Sequence, residues 1–182
     1  SKKCPYVGAH LGTITNLPWT ANHSPTHSDP AQRYVGKAYG YGRFEFRAKI
    51  SSIGHGAWPA LWMFVDQKQD QTQPGIELDA LEAIGSLDGI TVLNNQTTFI
   101  RGLQTVHDWG TTSTPHVSEG VAVPISIGNW HTYAVEWTAS EIRVYIDGCL
   151  RNRVTDGQFV KDMWSDNSGI FHVPKSQTVN FL

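Results

Sequence analysis

Sulfur is scarce in this chain: 182 residues carry two cysteines, Cys4 and Cys149, and two methionines. A disulfide web is therefore excluded, and two readings stay open for the pair, one bridge or two buried free thiols, because no spacing code links positions so far apart. Long apolar runs are missing too, so no segment reads as a membrane span. Charge of one sign is also lacking. With 14 Lys and Arg against 16 Asp and Glu, the net charge is −2, which argues against a nucleic-acid footprint and against attraction to an anionic membrane. The eight histidines, His10, His23, His27, His55, His107, His116, His131 and His172, are dispersed, without His-x3-His or Cys-x2-Cys spacing, so a catalytic metal is not expected. No Gly-x-Ser-x-Gly elbow supports a serine nucleophile. Helical periodicity is scarce, and internal repeats, low-complexity tracts and a signal-peptide pattern are absent.

What the chain has in quantity is turn chemistry and aromatic residues. Seventeen glycines, nine prolines and seven tryptophans fit short strands joined by many turns. Residues 1–36 read as irregular, with one short strand within Leu11 to Leu17. In Arg43-Phe44-Glu45-Phe46-Arg47-Ala48-Lys49-Ile50 apolar and charged side chains alternate, the signature of a half-buried strand. Ala57 to Val65 is an apolar run expected to cross the core, and Thr97 to Val106 is a further strand followed by a loop from Asp108 to Gly120. Trp130 to Trp137 and Glu141 to Ile146 flank Thr138-Ala139-Ser140 and read as a hairpin. Regularly spaced strands with turns between them predict one all-β domain over 1–182, a sandwich of two antiparallel sheets. Asn22-His23-Ser24 and Asn95-Gln96-Thr97 match the N-glycosylation acceptor pattern.

The densest chemical signal is Glu77-Leu78-Asp79-Ala80-Leu81-Glu82, three acids inside an otherwise apolar strand. Alternation puts Glu77 and Asp79 on one face and sends Glu82 to the other. One extra residue at Ala80-Leu81, forming a β-bulge, returns Glu82 to the face of the first two. Clustered carboxyls shift one another's pKa values, which is useful where a carboxylate and a carboxylic acid must act together. Glycoside hydrolysis is such a reaction, with the pair roughly 5–5.5 Å apart for retention and roughly 6.5–9.5 Å for inversion. A flat strand spaces positions four residues apart by about 13 Å, so curvature and inward-leaning side chains have to close the gap.

Together with Tyr41-Gly42-Arg43-Phe44-Glu45-Phe46-Arg47-Ala48-Lys49, Trp58-Pro59-Ala60-Leu61-Trp62 and Trp130-His131-Thr132-Tyr133-Ala134-Val135-Glu136-Trp137, the hexapeptide makes residues 39–182 resemble glycoside hydrolase family 16. The resemblance implies a concanavalin-like β-jelly roll of two curved sheets with the substrate across the concave face. It also implies Glu77 as nucleophile, Glu82 as general acid and base, and Asp79 as a helper between them. The spacing Glu-x-Asp-x-x-Glu marks the laminarinase, agarase and carrageenase side of the family. The expected activity is thus retaining endo-hydrolysis of a β-linked polysaccharide, most simply a β-1,3-glucan. A lectin-like glucan-binding module, a galactan hydrolase and a transglycosylase are the alternatives. No cofactor is expected; a structural calcium ion at Asp147-Gly148 is the one cation the resemblance suggests. The implied partner is a polysaccharide, and the expected state is a secreted monomer. Both ends of the sandwich look cut relative to the family.

Around the acids, Trp58 and Trp62 share a face by alternation and offer platforms for sugar rings. His107, Trp109 and Trp130 are further candidates for the substrate cleft. Arg47 and Arg101 are candidate partners for hydroxyls or sulfate. Glu136 is a candidate supporting acid. Ile76, Leu78 and Leu81 should point into the core, joined by Trp137 and Trp164.

Overall fold

A computed structural model describes residues 14–15, 35–36, 39–51, 57–65, 75–83, 91–93, 97–111, 113–174 and 180–181. Cys4, Asn22, Asn95, the loop 66–74 and the first four histidines lie outside the described residues. Among the described residues fourteen strands follow one another: β1 (Ile14–Thr15), β2 (Val35–Gly36), β3 (Gly42–Lys49), β4 (Ala60–Val65), β5 (Ile76–Ala83), β6 (Thr91–Leu93), β7 (Thr97–Asp108), β8 (Val117–Ser126), β9 (Trp130–Trp137), β10 (Glu141–Ile146), β11 (Cys149–Thr155), β12 (Phe159–Lys161), β13 (Ser168–Ile170) and β14 (Asn180–Phe181). The architecture is all-β, as alternation and turn spacing predict.

Two antiparallel sheets carry the fold. One has the order β11-β10-β9-β3; the other runs β14-β4-β5-β7, with β8 along the far edge of β7 and β6 pairing with its first residues. Two small pairs complete the strands, β1-β2 and β12-β13, the latter packed against β8. Between the sheets lies a single apolar core. The four-stranded sheet contributes Phe44, Tyr133, Val135, Trp137, Ile142, Val144 and Val154, and the larger one Met63, Ile76, Leu78, Leu81, Val106 and Ile125. In each strand these residues alternate with side chains on the outer face, so each sheet has one dry side and one wet side. The turn between β10 and β11 is the Asp-Gly kind: Asp147 (φ 50°) and Gly148 (φ 77°) both take positive φ, the backbone that two-residue hairpins demand.

Several details depart from the sequence reading. The segment Asp108 to Gly120 is not all loop: β7 runs on to Asp108 and β8 begins at Val117, because Val117 and Ser118 pair with Asp108 and His107. Trp164, expected in the core, is 47% exposed; it sits on the connection between β12 and β13, outside the interface of the sheets. Cys149 is exposed and free rather than buried.

Candidate active site

The extra residue in β5 is present. On one side Trp62 pairs with Asp79 and Leu61 with Leu81, so Ala80 is passed over; on the other, Asp79 pairs with Thr105 and Glu82 with Leu103. Ala80 and Leu81 are both buried in the core. Two residues of β5 thus oppose one of β7, and that one is Gln104. Fully buried, Gln104 turns its amide inward and donates to the Ala80 carbonyl (2.8 Å) and to the Tyr145 carbonyl across the core (3.0 Å). The carbonyl that the bulge removes from the ladder is therefore satisfied, and the kink is tied to the facing sheet.

Paired residues on neighbouring strands point to the same side. Glu77, Asp79 and Glu82 accordingly share the outer face of the larger sheet with Phe64, Trp62 and Ala60 of β4 and with His107, Thr105 and Leu103 of β7. Arg101 continues the same face along β7 by alternation. Each outer acid is held by an indole. Trp58 Nε1 donates to Glu82 Oε1 (3.1 Å) and Trp109 Nε1 donates to Glu77 Oε2 (3.1 Å). Both rings remain 44–59% exposed, so one edge binds an acid while a face stays open to the cleft.

Trp109 is fixed from behind. Its backbone N–H donates to the Gly75 carbonyl (2.9 Å), and the preceding Asp108 is buried with its two oxygens accepting from Gly110 N (2.9 Å) and His172 N (3.0 Å). Gly110, at φ 69° and packed against Thr114 and Pro115 backbone, is a position only glycine fills without strain. The Trp109 ring stacks on His116 (4.5 Å) and His107 (5.4 Å).

Burial governs the charges. Asp79 is 1% exposed; desolvation and then the neighbouring Glu82 and Glu77 hold its carboxyl well above the usual range. Desolvation pushes Glu77 up to about 7, outweighing the Trp109 bond that favours its anion, with Glu82 adding to the rise. Glu82 is raised as well, by burial against the opposing hydrogen bonds of Trp58 and Thr105. The three titrate as a set. All three carboxyls move the same way, so these directions divide no roles among Glu77, Asp79 and Glu82. His107 contacts Asp79 Oδ2 at 3.4 Å, but burial and then His116 push the imidazole down to about 4, so at neutral pH it is uncharged. Among the described residues, Glu77, Asp79 and His107 are the one group with three such polar atoms within 4.8 Å of one another. Burial drives its carboxyls toward the acid form, whereas a divalent cation needs them ionised.

The structure does not bring every candidate here. Trp130 and Arg47 lie on the outer face of the other sheet: Trp130 pairs with Lys49 and Arg47 with Thr132, while Phe44, Phe46 and Ala48 take the core side. There the Arg47 guanidinium stacks 4.6 Å from the Trp130 ring. Glu136 is on that face too, accepting from the Tyr145 hydroxyl (2.7 Å). Asp147, the suggested calcium ligand, spends its oxygens on His131 Nδ1 (2.7 Å) and Thr132 N (2.9 Å). Sequence reasoning passed over Gln104, Phe64 and Thr105. A polar residue at a core-facing position of β7 was the signal for Gln104; the other two emerge only from register.

The fold and the site define a two-sheet β-sandwich with three clustered carboxyls and two indoles on one outer face. The family follows from the sequence: the model of the glycosyl hydrolases family 16 matches residues 22–171, and the chain is a member of this family with its jelly-roll fold. It is 34% identical over 124 residues to a beta-glucanase of Rhodothermus marinus, covering 65% of this chain and 39% of the relative. It is also 30% identical over 159 residues to a beta-1,3-glucan-binding protein of Penaeus monodon, covering 84% and 40% respectively. The chain thus spans about two fifths of the length of these curated relatives. Among solved structures, a laminarinase from Flavobacterium sp. UMI-01 superposes with a TM-score of 0.52 at 21% identity, over 84% of this chain and 61% of that one.

Proposed function

We propose that this chain is the catalytic domain of a retaining endo-β-glucanase that cleaves β-1,3-glucan by double displacement. One observation carries the reading: the bulge at Ala80-Leu81 sets Glu77, Asp79 and Glu82 on one face, each glutamate gripped by an indole. A Glu77 oxygen attacks the anomeric carbon while the Glu82 carboxylic acid gives its proton to the departing glycosidic oxygen, forming a glycosyl ester on Glu77. Glu82, now a carboxylate, takes a proton from water; that oxygen attacks the anomeric carbon and Glu77 leaves as carboxylate. Asp79, lying between the two and itself protonated, keeps the negative charge of the set down, so each glutamate can change state in turn. Trp58, Trp62 and Trp109 offer aromatic faces to the sugar rings. Acid, base and nucleophile all come from side chains, so the scheme needs no cofactor.

The relatives' names favour glucan, and a polymer too large to enter cells favours secretion; both are read here as properties of this chain, which we take to act as a monomer. The test is a reducing-end assay on laminarin, lichenan, agarose and carrageenan, with the first product followed by NMR. Laminarin is cleaved and the product appears as the β-anomer; Glu77→Gln and Glu82→Gln lose activity by ~10²–10⁴-fold while staying folded. Full activity of either variant overturns the roles, and binding of laminarin without cleavage supports a lectin-like module instead.

A further inference from the structure

The buried Asp79 leads into a line of titratable groups that extends well past the carboxyl cluster. Its Oδ2 has no hydrogen bond of good geometry and lies 3.4 Å from His107 Nε2. His107 Nδ1 is 3.2 Å from His116 Nε2, and His116 Nδ1 is 3.3 Å from Asp162 Oδ2. Asp162 is buried; its Oδ2 also accepts from the Ser118 hydroxyl (3.1 Å) and its Oδ1 from Trp164 N (2.7 Å). Four side chains from β5, the end of β7, the approach to β8 and the connection after β12 therefore form one continuous path.

The path has a direction. An acceptor-only carboxylate at Asp162 requires His116 to present Nδ1–H, and in the neutral imidazole that leaves His116 Nε2 as a lone pair. That lone pair requires His107 to present Nδ1–H, which leaves His107 Nε2 as a lone pair facing Asp79. We propose that Asp162 and His116 are positioning residues which, through the tautomer of His107, keep a proton on Asp79 pointing away from Glu77 and Glu82. This rests on the catalytic reading above and extends it to residues that touch no substrate.

The electrostatics run the same way. Burial would raise Asp162, but the Trp164 N–H, the Ser118 hydroxyl and the His116 imidazole outweigh it and hold the carboxyl below its ordinary value, hence ionised. His107 is pushed down to about 4 and is uncharged at neutral pH, and burial, then Glu82 and Glu77, push Asp79 up, toward holding its proton. The groups facing this path are Glu77 and Glu82 on β5, Thr105 on β7, Ser118 on β8 and, at the far edge, Asp108 with His172. Trp109 stacks over both imidazoles while its N–H holds Glu77, which packs the path against the cleft.

Asp162→Asn removes the acceptor facing His116 and lets an amide N–H donate instead, which reverses the polarity of the path: His107 then presents Nε2–H and Asp79 becomes a carboxylate beside Glu82. Nitrogen-15 NMR of the imidazoles reads this directly in the full chain without substrate. The Nδ1–H tautomer of His107 is expected in the wild type and the Nε2–H tautomer in Asp162→Asn, with the alkaline limb of kcat/KM on laminarin moving to higher pH and kcat falling tenfold or more. His116→Gln, which leaves the Ser118 and Trp164 bonds to Asp162 intact, serves if Asp162→Asn does not fold; loss of the fixed His107 tautomer is expected there as well. An Nε2–H tautomer of His107 in the wild type, or no tautomer change in a folded variant, overturns the proposal. If the tautomers behave as described but no glucan is cleaved, the relay stands and the catalytic reading fails.

Discussion

The side-chain amide of Gln104 donates to the carbonyl of Ala80 at 2.8 Å, meeting the one residue that β5 inserts beyond strict pairing. The kink that gathers the acids is therefore held by a buried bond from the opposite strand and not by local sequence alone. Gln104→Leu keeps the volume and removes the donor. The carbonyls of Ala80 and Tyr145 would be left buried without it, at a cost of about 1–3 kcal/mol. Thermal unfolding should show a lower Tm, and kcat on laminarin should fall because Glu82 loses its fixed aim; an unchanged Tm and kcat would remove Gln104 from the account.

Trp58 and Trp109 can be separated from their hydrogen bonds by Trp→Phe changes, which keep an aromatic face and delete the N–H. The bonds favour the ionised acids. Trp109→Phe should therefore raise Glu77 further and move the acid limb of the kcat/KM profile toward higher pH, whereas Trp58→Phe should raise Glu82 and move the alkaline limb upward. Profiles that shift together, or not at all, would contradict the pairing of one indole with one acid.

Stability should depend on pH through Glu77 with a definite sign. Its folded pKa of about 7 stands above the ordinary 4.5, so the native state binds more protons between these values and its stability falls as pH rises through them. His107, depressed from 6.5 to about 4, acts oppositely below pH 6.5. Glu77→Gln removes the first effect and leaves the His107 effect in place. The Tm of wild type minus that of the variant should be highest below about pH 4.5 and drop as pH climbs through about 7; a flat difference from pH 4 to 8 would show that Glu77 is not desolvated.

Trp130 and Arg47 stack on the far side of the sandwich from the acids. Trp130→Ala and Arg47→Ala should leave kcat/KM on laminarin within about twofold, at a stability cost near that of a surface cation–π pair, about 0.5–1 kcal/mol. A tenfold rise in KM alone would mean that glucan reaches this face.

Some of this was legible in the chain and some was not, for physical reasons. The bulge could be read because period-two alternation leaves Glu82 on the wrong side unless one residue is inserted. The strand Arg43 to Ile50 was equally plain. Alternation, however, tells inside from outside and not which sheet a strand joins, so it does not reveal that Arg47 and Trp130 lie on the opposite side of the sandwich from the acids. Indole-to-acid bonds depend on loops that return to the sheet, as at Trp58 and Trp109, and pattern does not register them. His116 and Asp162 meet across distant segments, with no local motif to announce the contact.

The two exposed indoles bind acids with one edge and leave a broad surface toward the solvent. On the reading proposed here, a lineage that reshapes either ring to suit a different sugar also alters how tightly the nearby glutamate keeps its proton. Substrate preference and working acidity would then be inherited as one trait, adjustable only together.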